Sequence, residues 1–188
     1  LSAMHEIAIL LLLNAALLLA SVQVMGLALA SRRTEHSLRR QLVVGCLLGL
    51  IGVGIMTARA QMLPGVAFYA RSVLLSICGL YFGAVPTLIV MAITATYRLV
   101  LGGMGAWTGV AVIVTSGLIG LGWRRWRAVG LGSIGWRELA LFGLLVSLAF
   151  LGLLMTLPSS VATVVQSAVA VPVLLLHPPL TVAVGLLL

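Results

Sequence analysis

The chain has 188 residues, 62% of them hydrophobic and 7% charged, with a mean hydropathy of +1.27. A water-soluble domain does not carry so little charge on so much apolar sequence, so nearly the whole length reads as an all-α polytopic membrane protein with room for six to seven transmembrane helices of about 20 residues. The net charge of +8 comes from eleven arginines and no lysine against Glu6, Glu35 and Glu138. Because the arginines gather at span ends, orientation in the bilayer accounts for them and nucleic acid is not an expected partner.

Span 1 is predicted over Ile7–Ala30. It is too long, and wrongly flanked, for a cleaved signal peptide. Asn14 lies well inside it, on the same face as Ser21, and is a candidate for a ligand contact or an interhelical hydrogen bond. The loop after it, residues 31–40, holds Arg32, Arg33, Arg39 and Arg40, which places it on the cytoplasmic side. Span 2 is predicted over Gln41–Thr57, with Gly45, Gly49 and Gly52 on one face as a stripe for close helix approach. Arg59 and Pro64-Gly65 follow in an outer turn.

Span 3 is predicted over Val66–Phe82, with Arg71 near its outer end, and span 4 over Gly83–Leu101, with Arg98 near its outer end. A tight inner turn between Leu80 and Pro86 joins them, proline being well suited to a first helical turn. The segment Gly102-Gly103-Met104-Gly105 is the next outer turn. Span 5, Ala106–Leu121, ends in Trp123-Arg124-Arg125-Trp126-Arg127, an aromatic and basic anchor for the cytoplasmic interface. Span 6 is predicted over Trp136–Leu157. Span 7 starts near Ser160, with a kink at Pro172 and a break or sharp bend at His177-Pro178-Pro179. Whether 160–188 is one bent helix or two short ones stays open at this level. With the N-terminus outside, eight of the eleven arginines fall in inner segments, and Arg59, Arg71 and Arg98 fall outside.

Arginine in an apolar span is costly, roughly 2.5–3.5 kcal/mol at a helix centre, and points by default to a functional role. A guanidinium fork grips a carboxylate through two parallel hydrogen bonds. Arg71 and Arg98 are therefore the expected core of an outer pocket for a small anionic ligand, with Asn14, Tyr69, Tyr97 and Thr108, and also Thr94 and Thr96, as further polar contacts. The competing structural roles are snorkelling, which suits Arg59, and bonds to backbone carbonyls at helix ends. No catalytic constellation, metal motif or phosphate loop is present, so neither an enzyme nor a cofactor is expected. Cys46 and Cys78 read as small packing residues, not as a disulfide or zinc ligands.

One block carries a specific pattern: Pro64-Gly65, Arg71-Ser72-Val73-Leu74-Leu75-Ser76, Gly79-Leu80-Tyr81-Phe82-Gly83, Tyr97-Arg98, and Gly102-Gly103-Met104-Gly105 with Gly109. It resembles the LytS/YhcK-type transmembrane receptor region, a bacterial sensor input module. The family pattern has an aspartate two residues before the first arginine, where this chain has Tyr69. The resemblance implies a multi-pass domain of the bacterial inner membrane, placed ahead of a histidine kinase of a two-component system or a diguanylate cyclase, and some relatives sense small carboxylates such as pyruvate. It also implies a fold similar to the membrane substrate-binding subunits of vitamin importers. The chain stops inside an apolar run at Leu188. The expectation is thus a single transmembrane sensor domain over 1–188, cut before its cytoplasmic output domain, in contact with the bilayer and paired as a homodimer through helix faces. The rival readings are a solute-binding subunit of a transporter, which would support uptake with an energising partner, and a structural membrane anchor, which would tolerate loss of both arginines.

Overall fold

The computed structural model describes residues 19–28, 38–57, 66–103, 105–127, 134–156 and 159–188, with residues 66–70, 159–169 and 171–172 described by their backbone alone. Among the described residues the chain is helical and contains no strand. The helices are α1 (Leu19–Ala28), α2 (Leu38–Thr57), α3 (Val66–Phe82), α4 (Ala84–Leu101), α5 (Ala106–Trp126), α6 (Trp136–Leu154) and α7 (Ser159–Leu187). Four of them, α2, α4, α5 and α6, are long and apolar enough to cross a membrane, with shorter apolar helices at Leu19–Ala28, Arg71–Phe82 and Val173–Leu187. This supports a polytopic helical membrane protein, while among the described residues four spans, and not the expected six to seven, reach that length. Most of predicted span 1, with Asn14, lies outside the described residues, as do Arg59 and Pro64-Gly65.

Helix α3 is the axis of the bundle: every residue from Arg71 to Leu80 is buried. It can be enclosed so completely because its neighbours meet it on small residues. A Cβ added at Gly79 would lie 2.8 Å from the carbonyl oxygen of Gly117, and one at Gly120 would lie 2.2 Å from that of Ser76. The α3 and α5 backbones therefore touch, which only glycine permits there. The predicted stripe on α2 does similar work. Cβ atoms at Gly45, Gly49 and Gly52 would strike Ile89, Ile93 and Thr94 of α4. Since both sets of numbers rise together, α2 and α4 run in the same direction.

The turn between α3 and α4 is a single residue, Gly83, at φ 84°, a left-handed conformation natural to glycine. Pro86 sits in the first turn of α4, as the sequence predicts, and the Thr87 hydroxyl donates to the Gly83 carbonyl at 2.7 Å. At the other end of α4, Gly102 and Gly103 also have positive φ, 64° and 87°, and turn the chain into α5.

Three expectations need correction. Helix α2 begins at Leu38 and not at Gln41, so Arg39 and Arg40 lie in its first turn and not in the preceding loop. Helix α5 does not end at Leu121 but runs on to Trp126, where Arg124 and Arg125 in the last turn suit the negative end of the helix dipole. Helix α6 ends at Leu154 instead of Leu157. The alternative left open over 160–188 resolves as one continuous helix, Ser159–Leu187, with no break at His177-Pro178-Pro179. In apolar surroundings a break would strand further N–H and C=O groups, which costs more than the bonds the prolines forgo, and neighbouring helices support such segments. Here α6 does so: a Cβ on Gly143 would lie 2.9 Å from the Pro178 Cα and 3.1 Å from the Thr181 Cβ. The two cysteines are free, Cys78 buried and Cys46 exposed, so only Cys78 has the packing role expected of both.

Candidate anion site at one end of the bundle

Arg98 lies in the last turn of α4. Its side chain crosses to α5 at Gly109, where an added Cβ would stand 2.5 Å from Arg98 Nε, 3.0 Å from Cδ and 3.1 Å from Cγ. Nη1 donates to the Gly102 carbonyl at 3.0 Å. That bond fixes the guanidinium plane and realises in part the structural role foreseen for it. Nε is buried and has no hydrogen-bond partner among the described residues.

Arg71 is buried to 1% exposure in α3 and is the largest fully enclosed side chain among the described residues. Seven residues along α3, on the same face, the Cys78 sulfur lies 3.7 Å from the Thr87 hydroxyl of α4. That stripe of α3 therefore looks toward α4. Counted from the Gly83 turn at 1.5 Å per residue, Arg71 and Arg98 stand about 18 and about 22 Å up their helices, within about one turn of each other in depth. Two arginines thus occupy one end of the α3–α4–α5 junction.

The other predicted contacts divide. Tyr97 and Thr108 lie at this same end. The Tyr97 hydroxyl is 3.0 Å from the Thr57 hydroxyl at the close of α2, and Thr108 is 3.3 Å from Thr156, just past α6. Thr94 is buried and donates to its own helix at Val90 O, 2.7 Å away, so its hydroxyl is taken up within α4. Thr96 is exposed. Tyr69 falls in the first turns of α3, its side chain outside the described residues, and Asn14 is outside them altogether. Thr57 and Thr156 were not among the predicted contacts. Only their position at helix ends hints at them, because the partner each hydroxyl meets depends on how the helices are rotated.

The opposite end is held by charge. Arg124 of α5 donates through Nη1 to the carbonyls of Leu80 and Tyr81, at 3.1 and 2.7 Å, capping the last turn of α3. Arg127 pairs with Glu138 at 2.5 Å, and the Trp123 indole donates to the same carboxylate at 3.0 Å. Trp123 also stacks edge-on against Phe142. The cluster expected to be a lipid anchor is therefore in part an internal clasp joining α3, α5 and α6. Glu138 is the one acid among the described residues, and being engaged at this end it does not serve Arg98. Tyr81 adds a tie from α3 to α7 through Gly185 O at 2.9 Å.

His177, expected only at a bend, is instead buried in the α6–α7 seam. Its Nδ1 lies 3.0 Å from the Ser147 hydroxyl and 3.1 Å from the Gly143 carbonyl. Among the described residues no group of three or more His, Cys or acidic side chains is placed to hold a metal ion.

A family model described as the 5TMR of 5TMR-LYT, the 5TM receptor of LytS-type sensors, matches residues 22–188. The chain matches no curated protein and no solved structure. The family match takes in α2 to α7 entire and the whole α3–α4–α5 junction with both arginines. The chain belongs to the 5TM receptor family of LytS-type sensors, and is a membrane sensory input domain.

Proposed function

We propose that this receptor domain binds a small carboxylate between Arg71 and Arg98, from the outer side of a bacterial inner membrane, and passes a change of helix packing to the opposite end. The observation that carries the reading is the state of Arg98: a guanidinium pinned across Gly109 by one backbone bond, with its Nε buried and without a partner among the described residues. The guanidinium is half-buried and its Nε is a buried unsatisfied donor, which is unfavourable, and a carboxylate reaching this edge of the fork relieves it. Arg71, within about one turn of it in depth, supplies a second fork. Tyr97 and Thr108 stand at the rim with hydroxyls paired to Thr57 and Thr156, and can exchange those bonds for the ligand's.

The outer assignment follows from the arginines at the other end, since short basic segments stay in the cytoplasm. Signal transfer requires the ligand to favour one helix arrangement over another. The parts that would shift against one another are α4 and α5, which share Arg98, with α3 linked to both. A kinase or cyclase acting downstream, and pairing of two copies, complete the proposal. The Gly45, Gly49 and Gly52 stripe is already covered by α4 within one chain, so pairing would use other faces.

The test is titration of acetate, lactate, pyruvate and succinate into the purified protein in lipid nanodiscs, repeated with Arg71→Ala and Arg98→Ala. Each lost charge-assisted bond is worth about 1.5–3 kcal/mol, so a tenfold or greater loss of affinity is expected for either variant. Unchanged affinity in both removes the site.

A further inference from the structure

The end of the bundle opposite the two site arginines presents a second feature that the sensing role does not use. Residues 123–138 carry Arg124, Arg125, Arg127 and Arg137 against a single acid, Glu138, and the segment joining α5 to α6, Ala128 to Gly135, is uncharged. Arg124 and Arg127 are turned inward, onto the α3 carbonyls and onto Glu138. Arg125 and Arg137 are exposed. Beside them Trp126 is 78% exposed and Trp136 59% exposed. The Arg137 guanidinium lies over the Trp136 ring at 5.3 Å, and Trp126 meets Trp123 edge-on at 5.5 Å.

We infer that Arg125, Trp126, Trp136 and Arg137 form a docking surface for the headgroup of an anionic phospholipid in the inner leaflet. Charge and placement both fit a lipid headgroup. Trp rings prefer the boundary between acyl chains and headgroups, which sets the depth of this surface at the lipid phosphates. Two outward guanidinium groups at that depth are chemically matched to phosphate, and anionic lipid attracts juxtamembrane basic groups by about 1 kcal/mol each. Glu138 would oppose an anion, but Arg127 and the Trp123 indole hold its carboxylate. The same clasp fixes the end of α5, with Arg125 and Trp126, to the start of α6, with Trp136 and Arg137, so the surface needs little ordering when lipid binds. Lipid bound here would bear on the α5–α6 junction, and so on the helix that carries Gly109. The proposal stands apart from the carboxylate reading and does not depend on it.

The experiment is native mass spectrometry of the protein released from vesicles of equal phosphatidylglycerol and phosphatidylcholine, counting retained lipids. Wild type is expected to retain phosphatidylglycerol in preference, and Arg125→Gln and Arg137→Gln each to lower that preference several-fold, with near-complete loss in the double variant. Arg39→Gln, an exposed arginine at the same end on α2, is the charge-matched control and is expected to keep the preference. Equal retention of both lipids by wild type overturns the proposal. So does a loss in Arg39→Gln as large as in Arg125→Gln or Arg137→Gln, which would mean diffuse surface charge. Thermal unfolding of each variant in detergent shows that the fold is intact, since neither exposed arginine belongs to the clasp.

Discussion

Arg98 of α4 lies across Gly109 of α5, so closely that a Cβ on the glycine would fall 2.5 Å from the arginine Nε. One residue lacking a side chain thereby sets where the guanidinium stands. The contact ties α4 to α5 and places the site's charge on their seam.

Gly109→Ala should displace Arg98 without removing it. The arginine stem is flexible, so the fold should survive with a loss of no more than about 1–3 kcal/mol, typical of an overpacked contact. Carboxylate affinity should fall about tenfold, because a fork moved by an ångström loses its paired geometry. Calorimetric titration of the variant checks this. Affinity equal to wild type would show that the position of Arg98 is immaterial.

Gly120→Ala should be more damaging to stability than any other small change on α5. Its Cβ would fall 2.2 Å from Ser76 O, a backbone atom that cannot swing aside. The expected loss is about 1–3 kcal/mol or more. Gly122→Ala, two residues on and with nothing within 4 Å, should change stability by no more than about 0.5 kcal/mol. Thermal unfolding of both variants in detergent gives the comparison.

Arg124→Gln should loosen the end of α3. The variant forfeits a charged donor shared by the Leu80 and Tyr81 carbonyls, worth about 1.5–3 kcal/mol. Hydrogen exchange should rise in the last turn of α3 and the first turn of α4. Arg125→Gln, at an exposed neighbouring position, should leave that exchange unchanged.

The sequence revealed periodicity and depth better than it revealed direction. Gly45, Gly49 and Gly52 recur at helical spacing, so their shared packing face was readable before their partner was. The bounds of α3 were readable from Pro64-Gly65 and Gly83, and the placement of Arg71 and Arg98 toward one end of their helices from residue counts alone. Side-chain partners depend on the rotation of each helix about its axis, which spacing does not fix. Thr57 and Thr156 gave no warning for that reason. Arg124 looked like a residue of topology because arginine at a span end serves lipid and carbonyls equally well. The continuity of α7 stayed open in the sequence because the breaking power of proline is judged from helices in water. Against α6 in apolar surroundings, continuing the helix leaves fewer polar groups unpaired than stopping it.

The central claim is that a negative charge is held between Arg71 and Arg98. Its most direct measurement is equilibrium binding of pyruvate and of its neutral amide, pyruvamide, to the wild-type protein and to Arg98→Ala in nanodiscs. The account predicts that wild type binds the carboxylate at least tenfold more tightly than the amide, and that Arg98→Ala erases most of that difference. Equal affinity for acid and amide in wild type, or a preference for the acid that survives in Arg98→Ala, would contradict it.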